Sequence, residues 1–188
     1  MTIEVRTAPA RSMLMSIHPK YVSKILDGSK TIELRRSKPL IEPGQEVLIY
    51  ATTPVAALTA RCRVSTVEAL PPADLWLRYS VRLGVTREQF NDYFSDTLLA
   101  TALHLYDVEP LADPIPLSQL CSAGPFHPPQ TWHFLDATRT AELLGAASHD
   151  AGPLRHLEAV DHAPTIPTPD GHRFSIRRAI SMVGRFLP

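Results

Sequence analysis

The sequence predicts an α+β fold: a small mixed or antiparallel β-barrel with helices at its rim, followed by a C-terminal extension. Three observations lead there. The chain has 188 residues, 44% of them hydrophobic, enough for one well-buried core and too few for two full domains with linkers. Eighteen prolines against eight glycines demand short, interrupted elements and argue against a helical bundle, because proline lacks an N–H and turns the preceding residue away from the α region. Periodicity along the chain reads helix, strand, strand, strand, helical insertion, strand, an order that suits a small barrel.

The first clear element follows Ser16-Ile17-His18-Pro19. Proline suits the first helical turn, Val22, Ile25 and Leu26 share one face, and Gly28 supplies a left-handed stop, so a short amphipathic helix is predicted over 19–27. In 30–35, apolar Ile32 and Leu34 alternate with Thr31, Glu33 and Arg35, the period of a strand with one wet face; Glu33 and Arg35 therefore point the same way. A turn at 40–45 leads to Glu46-Val47-Leu48-Ile49-Tyr50-Ala51, a strand buried on both faces. Another strand is predicted over about 55–67. A helix over 74–83 and a second one, opened by the capping-box pattern Thr86-Arg87-Glu88-Gln89 and reaching Phe94, form the insertion. Strand character returns at 102–108, and a proline-rich link through Pro110, Pro114 and Pro116 leads to a last strand at 131–135.

The domain is placed at residues 12–137 and the extension at 138–188. A short helix is read over 138–147. Residues 151–170 lack any period and read as a linker or irregular wrap. Ile176, Ile180, Val183 and Leu187 recur at helical spacing with Arg177, Arg178 and Arg185 on other faces, giving a basic amphipathic helix over about 173–187. Its apolar stripe is expected to pack on the barrel or on a second subunit, making a homodimer an open expectation.

Nineteen basic and nineteen acidic residues cancel, which excludes a uniformly basic coat for nucleic acid. Counted by segment, residues 1–41 carry +5, residues 42–170 carry −9 and residues 171–188 carry +4. Cys62 and Cys121 are too few for a disulfide framework and too far apart for a metal knuckle. His149, His156, His162 and His172 have no ligand spacing, so no metal and no cofactor is expected. No apolar run reaches membrane-spanning length and the first residues have no signal-peptide core; no membrane partner and a cytoplasmic setting are expected.

Beyond periodicity, Ser16-Ile17-His18-Pro19, then Lys24-Ile25, Gly28, Lys30, Glu33, Arg35-Arg36, then Tyr50-Ala51-Thr52-Thr53-Pro54, and finally Pro128-Pro129-Gln130-Thr131 resemble the ASCH domain family. The resemblance covers about 13–136 and implies a PUA-like barrel related to RNA-binding modules. It also implies activities: some ASCH proteins are amidohydrolases on N4-acetylcytidine, and others are associated with RNA cleavage. In the amidohydrolase pattern a lysine is followed three positions later by a threonine nucleophile; here Lys30 is followed by Glu33. A carboxylate cannot replace a hydroxyl as acyl acceptor without changing the chemistry.

As chemistry, Lys30, Glu33 and Arg35 make a polar pocket: a carboxylate held ionised between two cations offers donors and acceptors side by side, suited to a nucleobase edge or a phosphate. Tyr50 and Trp76 are candidates for base stacking. Ser16 and His18 precede the helix, where His18 reads as a cap in preference to a proton shuttle. Thr52 and Thr53 face either the barrel mouth or their own turn, and Gln130 closes one side of the pocket or packs in the proline loop. The sequence thus predicts a module that binds RNA or a modified nucleoside through Ser16, His18, Lys30, Glu33, Arg35, Tyr50, Thr52, Thr53 and Gln130. The alternatives are a small hydrolase on a modified nucleoside or RNA, with Lys30 and Glu33 as acid/base pair, and a regulatory adaptor acting through its C-terminal helix.

Overall fold

The computed structural model describes residues 11–146; the tail beyond them, including the predicted basic helix, lies outside the described residues. Among the described residues six strands form one mixed sheet: β1 (Arg11–Ile17), β2 (Ile32–Arg35), β3 (Glu46–Ala51), β4 (Ala57–Leu70), β5 (Ala100–Pro116) and β6 (Trp132–Asp136), in the order β2-β5-β4-β3-β1-β6. β1 runs parallel to β3, and every other pair is antiparallel. The α+β class is as expected, but the sheet does not close: no ladder joins β2 to β6 among the described residues, so the barrel exists only in a loose sense.

Among the described residues five α-helices accompany the sheet: α1 (Pro19–Leu26), α2 (Pro72–Tyr79), α3 (Arg87–Tyr93), α4 (Leu117–Ser122) and α5 (Ala137–Gly145). Pro19 opens α1, whose cap is His18 Nδ1 accepting from the Lys20 N–H at 3.2 Å. Thr86 and Gln89 form the capping box that starts α3. α2 stops earlier than periodicity predicts and continues as a 3-10 turn, Ser80–Arg82. None of the helices among the described residues is long and apolar enough to cross a membrane.

Two strand predictions change. β1 is a strand that periodicity does not predict, because Met13, Leu14, Met15, Ser16 and Ile17 are buried on both faces and therefore carry no alternation; it lies inside the sheet between β3 and β6. The proline-rich link is also sheet: Pro110 pairs with Ala60 and Pro116 with Ala57. Prolines are tolerated there because β2 pairs with β5 only through His104, leaving the rest of β5 an edge on that side.

The sheet has a core on each face. Met13, Met15, Ile17, Ile49, Cys62, Val64 and Leu103 pack on one side with Val22 and Ile25 of α1. Leu14, Leu48, Tyr50, Leu58, Ile115 and Leu135 pack on the other with Leu120 and Leu143. A third cluster joins Ile32, Leu34 and Ala102 to Leu75, Phe90 and Phe94 of the insertion, and so fixes α2 and α3 to β2.

Cys62 is buried and Cys121 exposed, and burial first, then Glu33 and Glu46, pushes the Cys62 thiol up to about 12. The native protein is expected to react one thiol with a colourless-to-coloured disulfide reagent at pH 8, and two only in denaturant; two rapid thiols in the native protein would contradict this packing. The folded thiol keeps its proton where an unfolded one at 9.0 has lost it, so this group makes stability fall as pH rises from 9 towards 12.

Candidate functional site

Gly28, just past the end of α1, has a φ of +79° that turns the chain so that Lys30 runs beneath the segment leading into α3. Gly84 is the residue that makes room: a Cβ there would stand 2.7 Å from Lys30 Cβ, closer than carbon atoms pack. Lys30 Nζ then donates to Ile32 O at 2.7 Å and Leu83 O at 2.9 Å, and meets Glu33 Oε2 at 3.2 Å. Its exposure is 2%. Burial lowers the Lys30 pKa and Glu33 opposes that shift; three acceptors around one nitrogen call for the ammonium form.

Glu33 and Arg35 share a face of β2, as the alternation predicts, but the face is not wet. They are 7% exposed each, and Glu33 lies opposite Leu103, on the side of the core that contains Leu103. Arg35 Nη2 meets Glu33 Oε1 at 3.0 Å and donates to Ser16 O at 3.0 Å, while Nη1 reaches Thr131 O at 3.4 Å. These contacts cross the open seam of the sheet. β2 is one edge; Ser16 belongs to β1 and Thr131 leads into β6, so the sheet rolls until one side chain can join its two ends.

Above this network lies a cleft of about 530 Å³, lined among others by Ser16, His18, Lys30, Glu33 and Arg35, a volume in the range of small-ligand sites. Five of the nine predicted residues therefore converge. The others do not line it. Tyr50 sits on the opposite face of the sheet, packed against Phe126 with ring centroids 5.9 Å apart, because its position in β3 alternates with Ile49. Thr52 serves its turn, its carbonyl accepting from the Val55 and Ala56 N–H groups; Thr53 and Gln130 are exposed. Trp76 packs edge-on against Phe90 in the insertion core.

The sequence reading missed the remaining walls: Tyr21 from α1, and Gln89, Asp92 and Tyr93 from α3. Lys30 Nζ stands 5.6 Å from the Tyr21 ring centroid. Arg36 lies 4.8 Å from the Tyr93 ring and donates from Nε to the Tyr93 carbonyl at 2.7 Å. The capping box announced α3, but only the docking of Phe90 and Phe94 on β2 decides which of its faces looks at the cleft.

The fold and site define an α+β module whose rolled sheet carries a buried ion network under an aromatic-walled cleft. The ASCH domain family model matches residues 15–109. The curated ASCH domain-containing ribonuclease of Zymomonas mobilis is 32% identical over 139 residues, spanning 73% of this chain and 93% of that protein. The crystal structure of ASCH from Zymomonas mobilis is similar at a TM-score of 0.68 with 32% identity, over 71% of this chain and 94% of that one. A serine-to-alanine mutant of that protein is similar at 0.68 with 33% identity, over 73% and 98%. The chain belongs to the ASCH domain family.

Removing one member of a buried ion network strands its partner, at a cost of about 3–5 kcal/mol. Lys30→Met, Glu33→Gln and Arg35→Met are each expected to lose stability on that order in urea unfolding. Lys30→Met combined with Glu33→Gln should lose less than the sum, by roughly 0.5–3 kcal/mol; strict additivity would mean that the pair is not coupled.

Proposed function

We propose that this ASCH domain binds single-stranded RNA, taking one nucleotide into the cleft over Lys30, Glu33 and Arg35. The observation that carries the reading is the pairing of a buried, charged floor with two cleft-lining tyrosines from separate elements, Tyr21 on α1 and Tyr93 on α3. A splayed base needs a stacking surface and a polar edge to read it. Glu33 keeps acceptor capacity beyond its two cations, and each cation keeps the carboxylate in place. Basic residues gather nearby: Lys24, which donates to Gly84 O at 2.6 Å, and Arg36 against Tyr93. The kinship to a protein named as a ribonuclease supports RNA as the ligand class.

A second reading, that the module also cleaves RNA, is favoured by that same relative. The proposed acid/base pair of Lys30 and Glu33 has less support, since the three Lys30 N–H groups face Ile32 O, Leu83 O and Glu33 and a base would have to give up that set. Amidohydrolysis of an acylated cytidine has least, because the carboxylate in the nucleophile position is held by two cations.

Fluorescence anisotropy with a labelled single-stranded oligoribonucleotide tests the proposal. Stacking is worth about 1–3 kcal/mol per base, so Tyr21→Ala and Tyr93→Ala should each weaken binding by roughly 5- to 150-fold without loss of fold. Absence of RNA binding by the unaltered protein, or full affinity in both variants, would refute it. Electrophoresis of the same mixtures reads cleavage directly.

A further inference from the structure

The donors on the cleft floor are unevenly used. Lys30 directs its N–H groups at Ile32 O, Leu83 O and Glu33. Arg35 commits Nη2 to Ser16 O and Glu33 and Nη1 to Thr131 O. Arg35 Nε and Ser16 Oγ, both shut from bulk solvent, have no hydrogen-bond partner among the described residues. Arg35 and Ser16 are 7% and 8% exposed, and both line the cleft. Buried polar atoms are rarely left this way, because their lost hydration goes uncompensated. These two are neighbours, since Ser16 O already accepts from Arg35. A guanidinium has no acceptor atom, and Glu33 cannot turn to serve Nε while Lys30 and Arg35 hold its two oxygens. What the pair lacks is an acceptor from outside.

We propose that Ser16 Oγ and Arg35 Nε form an anion subsite that receives a phosphate oxygen, so that the cleft selects a phosphorylated nucleotide or a phosphodiester over a free nucleoside. The inference rests on the RNA reading above and refines it. Two cations on one carboxylate leave the floor with a net positive charge. With Nη1 and Nη2 committed, Arg35 Nε offers a single N–H beside Ser16 Oγ, and hydrogen bonds to an ionised acceptor are the stronger kind. Asp92 stands on the α3 wall and Glu33 on the floor; repulsion from Asp92 places the phosphate at the Ser16 side and leaves the α3 side, with Tyr93, to the base. A small rotation of the two side chains accompanies entry, since neither atom meets bulk solvent beforehand.

Calorimetric titration of the full chain at constant ionic strength, with uridine, cytidine, their 3′- and 5′-monophosphates, inorganic phosphate and a single-stranded oligoribonucleotide, tests this. At least one monophosphate should bind about tenfold or more tightly than its nucleoside. That ratio should shrink to within about threefold in Ser16→Ala and in Arg35→Lys, with thermal unfolding confirming that each variant folds. Ser16→Ala decides the matter if Arg35→Lys does not fold, and a merely structural role for Ser16 would leave the ratio unmoved. Equal affinity for nucleoside and monophosphate, or an undiminished ratio in Ser16→Ala, overturns the subsite. If the oligoribonucleotide binds without any phosphate preference, the subsite fails and the RNA reading stands. A Ser16-dependent phosphate preference without oligoribonucleotide binding supports the subsite and overturns the RNA reading.

Discussion

The buried contact between Glu33 and its two cations is the constraint on which the rest depends. Arg35 reaches from edge strand β2 to the carbonyls of Ser16 and Thr131, and Glu33 fixes the guanidinium that does so. Lys30 anchors the other side of Glu33 and ties it to Leu83 O below the insertion. An antiparallel hairpin could have closed this seam with backbone hydrogen bonds; here three charged side chains do it. Charges held this deep are costly unless fully paired, which explains why Gly84 yields its side-chain space to Lys30. The same arrangement gives the cleft a floor that cannot collapse, because its groups are held from both ends of the sheet.

Much of this was legible in the sequence, and the limits have physical causes. Alternation around Ile32 and Leu34 placed Glu33 and Arg35 together, since that period reports the strand's two faces whatever covers them. It could not report that the polar face is enclosed, because enclosure comes from the roll of the sheet and from Tyr21 and α3, which are remote in the chain. β1 left no period because both its faces are buried. The prolines of β5 looked like a link because proline usually ends a strand, and the edge that tolerates them is visible only once β2 is known to be short. Tyr50 suits base stacking by its chemistry, whereas its alternation with Ile49 puts it on the other core.

The zero net charge also takes a clearer shape. Four of the positive groups of the first 41 residues lie at or beside the site: Lys30 and Arg35 in its floor, Arg36 on Tyr93 and Lys24 on Gly84 O. At the cleft Glu33 and Asp92 balance Lys30 and Arg35, and the positive excess comes from Arg36 and Lys24 beside it. For the RNA binding proposed above, a neutral protein with a small, buried, positive floor suits close recognition of a short segment, with little long-range attraction to a polyanion. The insertion supplies the aromatic wall, and its attachment to β2 through Ile32, Leu34, Phe90 and Phe94 means that cleft shape and sheet closure are set by the two faces of one four-residue strand.

Site-resolved amide hydrogen exchange in the unaltered protein and in Arg35→Met tests that dependence most directly. If the side-chain network joins the sheet, losing Arg35 should accelerate exchange in β2 and at the Ser16 amide, which donates to Thr131 O at 3.1 Å, while the β3–β4 ladder keeps its protection. Equal acceleration throughout the sheet, or none in β2 and at Ser16, would contradict it.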